Sequence, residues 1–412
     1  YNTVVGDEAG TAITTGDYNT ALGYQAGAAV TTGEQNVIIG PLAGDALTDA
    51  DFNVAVGLAA LSADTLGSRS TAIGHGALEN QNFTSATNTY NTAVGYVAGL
   101  SITTGKQNTL IGGLAGDAKT TGFNDVAVGY QALSSDTKGQ NSVAIGYQAL
   151  TAQNFTTATN TYNVAVGRSA GAAVTTGVGN TLIGGVAGDA LTDADDNVAI
   201  GQGALTNDTL GSKSVAIGRS ALDAQNFTTA TDTYNTAVGY HAGVSVTTGI
   251  NNTFVGGLAG DSVTTGDNNV AVGYAALDAN QTANHNVAIG GSALGSNTTG
   301  ATNTAVGGES MTANTEGGNN VALGYQSLHD LTTGSNNVAI GYQTLSTEDA
   351  HGDNVAVGYQ SLKTLNAGVD AFNTAVGYQS GTAVTTGIQN TLIGGLAGDA
   401  LNTGNRNTVV GE

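Results

Sequence analysis

The chain has 412 residues with 63 Gly and no Cys, and its formal net charge is −22. Such an acidic balance disfavours nucleic acid and anionic membranes, because each phosphate contact needs a basic side chain, and we predict no nucleic-acid partner. The absence of Cys excludes disulfides, thiolate zinc sites and thiol nucleophiles. No apolar run approaches the roughly 18 residues of a membrane span, so we expect no membrane insertion in this segment.

One five-residue motif recurs from the beginning of the chain to its end. It stands at residues 19–23 (NTALG), returns at 36–40 (NVIIG) and again at 53–57 (NVAVG), and it occurs 24 times in all. Nineteen of the 23 intervals between copies are 17 residues long, three are 21 and one is 19. Because no stretch is left for a second domain, residues 1–412 are predicted to form a single continuous repeat array.

A longer period overlies the short one. The three 21-residue intervals carry the same insert, QNFT, at residues 81–84, 153–156 and 225–228, which are 72 residues apart. This spacing indicates a duplicated unit of four coils over about 19–234. After residue 252 the chain continues in plain coils, most of them 17 residues long.

The columns of the repeat predict a strand. Counted from the opening Asn as position one, position two is Val or Thr, position four is Val, Ile or Leu, and position five is Gly in every copy. β-Branched residues at alternate positions favour a short strand with two apolar faces, and the fixed Gly permits a bend. The sequence therefore predicts an all-β fold, a parallel β-solenoid of about 24 coils. The Asn column predicts a ladder of amide bonds, and Tyr residues also fall into stacking columns.

Position three is mostly Ala, and it leads to a predicted interface. If positions two and four fill the thin interior, position three points outward and forms a flat apolar stripe. Three rods could bury that stripe around one axis as a parallel homotrimer; a monomeric solenoid, another assembly, or Ala simply fitting the inner strand face are the alternatives. The predicted interface residues are Ala21, Ala55, Ala72, Ala93, Ala127, Ala144, Ala165, Ala199, Ala216 and Ala237.

These columns resemble a known family. Residues 142–146 (SVAIG), 214–218 (SVAIG) and 286–290 (NVAIG) are similar to the head repeats of YadA-like trimeric autotransporter adhesins. The phrase at 320–328 (NVALGYQSL), followed by TTG at 332–334, also resembles repeats of bacterial and phage tail-fibre-domain proteins. The resemblance implies a left-handed β-roll or β-helix, wound as a trimer with hydrophobic faces toward the axis. The repeat here is longer than the adhesin repeat, so we expect a larger corner.

Catalytic motifs are missing from the sequence. The five His residues share no ligand spacing, and neither a nucleophile elbow nor a phosphate-binding loop occurs. We therefore predict that the chain is not an enzyme and uses no cofactor. Acidic turns are the best candidates for Ca²⁺, although solvating charge is the favoured interpretation. These candidates are Asp45, Asp49, Asp51, Asp189, Asp193 and Asp195.

The inserts are predicted to be exposed loops. Each contains an Asn-Phe-Thr sequon, which could carry a glycan if it is accessible. The Phe either contacts a receptor or folds back as a cap over the larger coil, and the cap is the favoured interpretation. The predicted loop residues are Asn82, Phe83, Asn154, Phe155, Asn226 and Phe227.

Three functions fit these features. The first is a bacterial adhesin head or surface filament, extracellular or at the cell surface, that acts as a rigid rod and adheres to a receptor or glycan through many weak contacts. The second is the shaft of a phage tail fibre, on a virion. The third is an ice- or carbohydrate-binding protein that uses pairs such as Thr31-Thr32. Because the chain begins and ends inside repeats, we also expect a longer fibre or end-to-end stacking into filaments.

Overall fold

The computed structural model describes residues 1–411, and over these residues the secondary structure consists of short β-strands joined by turns. No helix in this range has the length and apolar character needed to cross a membrane. The chain divides into two compact units, Tyr1–Ser212 and Lys213–Glu412. That residues 1–412 form one continuous array stays a prediction.

The first unit contains strands β1 to β17. Their bounds are Thr3–Val5, Thr20–Leu22, Val37–Ile39, Val54–Val56, Gly67–Ser68, Thr71–Ile73, Thr87–Asn88, Thr92–Val94, Thr109–Ile111, Val126–Val128, Gly139–Gln140, Val143–Ile145, Thr159–Asn160, Val164–Val166, Thr181–Ile183, Val198–Ile200 and Gly211–Ser212.

The second unit contains strands β18 to β30. Their bounds are Val215–Ile217, Thr231–Asp232, Thr236–Val238, Thr253–Val255, Val270–Val272, Val287–Ile289, Thr304–Val306, Val321–Leu323, Val338–Ile340, Val355–Val357, Thr374–Val376, Thr391–Ile393 and Thr408–Val410.

Each three-residue strand covers positions two to four of one repeat. It pairs in parallel with the same positions of the next repeat, so that Val126 lies opposite Val143 in the first unit, and Val287 lies opposite Thr304 in the second. The predicted fold is confirmed: each unit is a parallel β-solenoid, and the chain contains about 24 coils at a spacing of about 17 residues.

The Asn at position one forms the predicted amide ladder inside the solenoid. The backbone N–H of Asn108 donates to Oδ1 of Asn91 at 3.0 Å, while Nδ2 of Asn108 donates to the Gly122 carbonyl at 3.0 Å. The second unit repeats the pattern, with the N–H of Asn286 donating to Asn269 Oδ1 at 3.0 Å. These side chains are buried, and such bonds satisfy backbone groups that would otherwise lie unpaired in a dry interior.

Glycine at position five is required by the stacking of coils. Gly129 has φ +137°, and a Cβ there would lie 2.4 Å from the carbonyl oxygen of Gly146 in the next coil. This backbone region is open essentially to glycine alone. The fixed Gly of the repeat therefore sets both the corner and the close approach of successive coils.

The interior is filled by a size exchange between positions nine and twelve. Where position nine is glycine, as at Gly27, position twelve is usually a large apolar residue such as Val30. A Cβ on Gly27 would lie 2.9 Å from the Ile38 side chain. Where position nine is Leu133, position twelve is the buried Asp136. Since interiors are close-packed, most coils hold a bulky apolar side chain at only one of the two positions. Leu328 with Leu331 and Leu362 with Leu365 are exceptions, in which both positions hold a buried Leu.

The predicted orientation of position three is wrong. Positions one and three point into the coil, and positions two and four point out. The coil is too thin to hold branched residues in every strand, so small alanines fill it. The residues predicted as an exposed interface are buried in the core, Ala21 at 2% exposure and the others at 0%: Ala21, Ala55, Ala72, Ala93, Ala127, Ala144, Ala165, Ala199, Ala216 and Ala237.

Candidate interaction surface

Positions two and four of the strands form the outward surface that we call the apolar face. At position four, Leu22 is 46% exposed, Ile111 39% and Ile145 37%, and the second unit continues the pattern with Ile289 at 39%. The Val or Thr at position two beside them is mostly half-buried. A contiguous row of exposed aliphatic side chains is typical of an interaction surface. Sequence reasoning missed this face because it placed the same residues inside.

A column of aromatic rings borders the apolar face at position six. Tyr325, Tyr342, Tyr359 and Tyr378 stack with centroid separations of 5.7, 5.3 and 5.3 Å. These four residues are each more than two-fifths exposed. In the first unit Tyr130 and Tyr147 stack at 5.7 Å. The predicted Tyr stacking is therefore present on the surface, where one edge of each ring remains accessible.

Amide side chains at position seven form a ladder beside this aromatic column. Nε2 of Gln343 donates to Oε1 of Gln326 at 2.8 Å, and Gln360 and Gln379 continue the ladder at 3.0 and 3.1 Å. We call the four Tyr-Gln pairs the aromatic–amide strip, consisting of Tyr325–Gln326, Tyr342–Gln343, Tyr359–Gln360 and Tyr378–Gln379. The strip presents flat rings next to fixed hydrogen-bonding groups.

The Thr pairs lie in corners, and many of their hydroxyls donate hydrogen bonds to oxygen atoms of the next coil. Thr31 Oγ1 donates to the Thr48 carbonyl at 3.2 Å, and Thr32 Oγ1 donates to Asp49 Oδ1. Thr264 Oγ1 in the second unit donates to the Gln281 carbonyl at 2.9 Å. These hydroxyls tie neighbouring coils together, so they do not form the free, flat array that an ice-binding surface needs.

The inserts place their Asn and Phe side chains on opposite sides of the chain. Asn82, Asn154 and Asn226 are exposed, as predicted. Phe83, Phe155 and Phe227 are only 7% exposed, so their prediction as exposed loop residues is wrong, whereas their burial over the larger coil agrees with the favoured cap interpretation. The inserted chain is tied down where Phe83 N–H donates to Asp64 Oδ1 at 3.0 Å and Phe155 N–H donates to Asp136 Oδ1 at 3.1 Å.

The predicted Ca²⁺ candidates are spread along the corners and bond to neighbouring coils. Asp51 Oδ1 accepts the Glu34 N–H at 2.8 Å, Asp195 Oδ1 accepts the Val178 N–H at 2.8 Å, and Asp193 accepts from Thr176 Oγ1 at 2.6 Å. Asp189 accepts from Thr206. Burial raises the pKa of Asp45 above its usual value. Their geometry favours hydrogen bonds between neighbouring coils over the binding of a shared cation.

A different acidic group meets the geometric requirement for a metal. Within residues 1–411, the cluster of three potential ligands with atoms within 4.8 Å of one another is Glu348, Asp349 and His351. Glu348 is fully buried, which raises its pKa, and its Oε1 accepts the His351 N–H at 3.2 Å. Asp64 makes the same three-residue turn bond with Gly67 at 3.1 Å. This cluster therefore closes a corner as other coils do.

The fold and surface define an adhesin-like structural repeat protein whose outward side chains lie in extended rows. The comparison with protein families agrees. Residues 121–149 and 138–159 each match the YadA head domain repeat, so the chain resembles YadA-like adhesin head repeats. A search of curated proteins found no match.

Proposed function

We propose that the chain is a non-enzymatic segment of an extracellular fibre that works as a parallel homotrimer and adheres to surfaces. The match to the YadA head repeat supports an adhesin-like role at the cell surface. The observation that supports a trimer is the apolar face. We propose this face as the subunit interface in place of the alanine stripe predicted from the sequence. The position-four side chains of the apolar face are aliphatic in every copy, and Leu22, for example, is 46% exposed.

Burial of this face would supply the free energy of association. Each exposed Ile or Leu that leaves water contributes in proportion to its apolar area, at about 25 cal/mol per Å². The contribution recurs once per coil, so a long array of small side chains holds the subunits together without any single dominant contact. The net charge of −22 per chain keeps the remaining surface soluble and opposes nonspecific association.

Absolute mass by light scattering tests the trimer. We expect about three times the chain mass of 40.5 kDa. Ile111→Glu combined with Ile145→Glu puts two charges into the face and should lower the mass toward that of one chain, because two buried carboxylates would lack partners. The control is Ser135→Glu, at an exposed site away from the strands. A wild-type mass of 40.5 kDa would overturn the trimer and leave a monomeric solenoid.

A carbohydrate-binding role is the second candidate, and the aromatic–amide strip favours it. The apolar patches of sugar rings can pack against the exposed Tyr edges while amides bond the sugar hydroxyls, and repeated sites raise avidity. Titration of oligosaccharides against the wild type and Tyr342→Ala/Tyr359→Ala separates the two functions. Saccharide binding that disappears in the variant supports this role, and absence of binding by the wild type removes it.

A further inference from the structure

The first solenoid unit buries a charged cluster in its core. Lys119 at position twelve of one coil contacts Asp125 at position one of the next, and Asp136 lies further along that second coil. The side chains of all three are 0% exposed. Isolated charges at such depth are costly unless they are paired. The cluster therefore calls for an explanation beyond the packing of the repeat.

The 72-residue period supplies two matched comparisons within the same chain. In place of Lys119, the equivalent residues are Leu47 and Leu191, and in place of Asp125 they are Asn53 and Asn197. Asp136 is matched by Asp at both equivalent positions, 64 and 208. Only the middle copy has Lys at the first of these three positions, and only the middle copy has Asp at the second. The amine and the second carboxylate thus occur together on an otherwise repeated backbone.

The contacts of Lys119 differ between the two carboxylates. Nζ donates to Asp136 Oδ2 at 2.9 Å and to the Gly139 carbonyl at 2.8 Å. Nζ lies closer still to Asp125 Oδ2, at 2.7 Å, yet this contact lacks hydrogen-bond alignment and Oδ2 has no hydrogen-bond partner. Since a C–O bond adds about 1.2 Å, the Asp125 carboxyl carbon lies within about 4 Å of Nζ.

The other contacts position both carboxylates. Oδ1 of Asp125 accepts the backbone N–H of Ser142 at 2.8 Å. Oδ1 of Asp136 accepts the N–H groups of Gly139 and Phe155, both at 3.1 Å. The Asp125 carboxyl carbon is therefore held within about 4 Å of the amine, with the Ser142 N–H on its Oδ1, while the Asp136 carboxylate is held beside the same amine.

We propose that Lys119 and Asp125 condense into an intramolecular amide, an isopeptide cross-link between two successive coils, with Asp136 transferring the protons. Juxtaposed reacting groups gain effective molarities of about 10⁵–10⁸ M. A dry site favours the neutral acid form of Asp125 over its carboxylate. Burial raises the pKa of Asp125 to about 6, which makes its acid form accessible.

The reaction needs no oxidant or added reagent. A proton passes from Lys119 Nζ to the Asp125 carboxylate, and the neutral amine attacks the carboxyl carbon. As the C–N bond forms, negative charge collects on Oδ1 and is stabilised by the Ser142 N–H. Asp136 takes a proton from Nζ and returns it to Oδ2, the C–Oδ2 bond breaks, and one water leaves. Lys-NH₂ and Asp-COOH thus give an amide and water.

Intact mass of the purified, denatured chain tests the cross-link. We expect a mass lower than that of the sequence by one water. After trypsin digestion Lys119 should resist cleavage, so residues 107–138 should remain one peptide with no backbone fragments between 119 and 125. The control is Lys119→Leu/Asp125→Asn, which restores the residues of the other copies and should show the full sequence mass.

Two results would overturn the proposal. The first is a folded wild-type chain of full sequence mass that trypsin cleaves after Lys119. The second is a fragment gap that extends to residue 136, which would make Asp136 the acceptor. Asp136→Asn keeps an oxygen for the backbone bonds but cannot take up the proton, so most of this variant should stay uncondensed. Full condensation in that variant would refute the proton-transfer role.

Discussion

Leu47 and Lys119 occupy the same position of the coil, 72 residues apart, and both are fully buried. Around Leu47 the neighbouring position-one residue is the neutral Asn53, whose N–H donates to Asn36 Oδ1 at 2.9 Å. Around Lys119 that residue is Asp125, and its N–H donates to Asn108 Oδ1 at 3.1 Å. The ladder is thus preserved while the side-chain chemistry of the core changes.

This comparison separates what the solenoid fixes from what it leaves free. The backbone ladder and the glycine corners fix the positions of side chains, because each coil must repeat the bonds of its neighbour. An interior residue can be replaced by a different type only when the residues that contact it are replaced as well. A leucine beside a neutral amide and a lysine between two carboxylates satisfy the same space, but a mixture of the two does not.

The largest expected effect on stability comes from placing the leucine of one copy beside the two carboxyl groups of the other. Lys119→Leu alone leaves the carboxyl groups of Asp125 and Asp136 buried without a cation, whereas Lys119→Leu/Asp125→Asn reproduces the first copy. Neither variant can form a cross-link. We expect the single variant to be less stable than the double variant by about 3–5 kcal/mol, the cost of leaving buried charges without their partner. Denaturant unfolding followed by circular dichroism measures the difference; equal stabilities would contradict the comparison.

A smaller effect is expected from the backbone that the copies share. Gly129→Ala adds a Cβ at φ +137°, 2.4 Å from the Gly146 carbonyl oxygen, whereas Gly185→Ala meets nothing within 4 Å. We expect Gly129→Ala to lose about 1–3 kcal/mol, the cost of a strained backbone residue, and Gly185→Ala to change little. Thermal unfolding of the two variants checks this prediction, and equal melting temperatures would disprove the stacking role of position five.

A carboxyl pair in the second unit extends the comparison to pH. Asp45, Asp117 and Asp189 are each followed one coil later by a Ser or Thr, but Asp261 is followed by Asp278. Burial, with the hydrogen bond and negative charge of Asp261, raises the pKa of Asp278 to about 7.

The folded state therefore retains a proton that the unfolded state releases, so stability falls as pH rises from about 4 to about 7. We expect a loss of about 1–2 kcal/mol, because solvent screens this half-buried pair. Asp278→Ser copies the other coils and should remove this part of the pH dependence. Unfolding measured at pH 4.5 and pH 7.5, chosen to bracket that range, checks it; identical pH profiles would exclude the shared proton.

The smallest effect is expected at the surface. Tyr147 stacks on Tyr130 at 5.7 Å, while the equivalent residues of the other copies are His75 and Arg219. Tyr147→Arg should lose about 0.5–1.5 kcal/mol, the value of an aromatic pair. Thr121→Arg, at an exposed corner, is the control. A melting temperature that falls equally in both variants would show that stacking contributes nothing.

Much of the fold could be predicted from the sequence because the 17-residue period fixes where strands and corners lie. The direction of each strand face could not, since positions two, three and four are all apolar and alternation alone defines two equivalent faces. A usable signal was nevertheless present. The large position-three residue Phe254 lies between Gly243 and Gly260, and a Cβ on either glycine would lie within 2.8 Å of its ring. Such size exchange marks position three as interior.

The buried cluster was also missed in the sequence. Acidic residues were interpreted as solvated turns, and this holds for exposed corners such as Asp49. Asp125, however, stands in the Asn column and Lys119 in an apolar column, within seven residues of each other. Two opposite charges in two interior columns of adjacent coils predict a buried pair, but only after the interior columns are known.

The in-register pairing of identical strands has a genetic consequence. Each coil offers its neighbour the same backbone donors and acceptors, so removal or duplication of a whole coil joins surfaces that already fit. Unequal recombination between the DNA repeats could then change the length of a unit in steps of about 4.8 Å without a new folding problem. Natural alleles of such a chain are expected to differ in the number of coils more often than in the residues at the fixed positions of each coil.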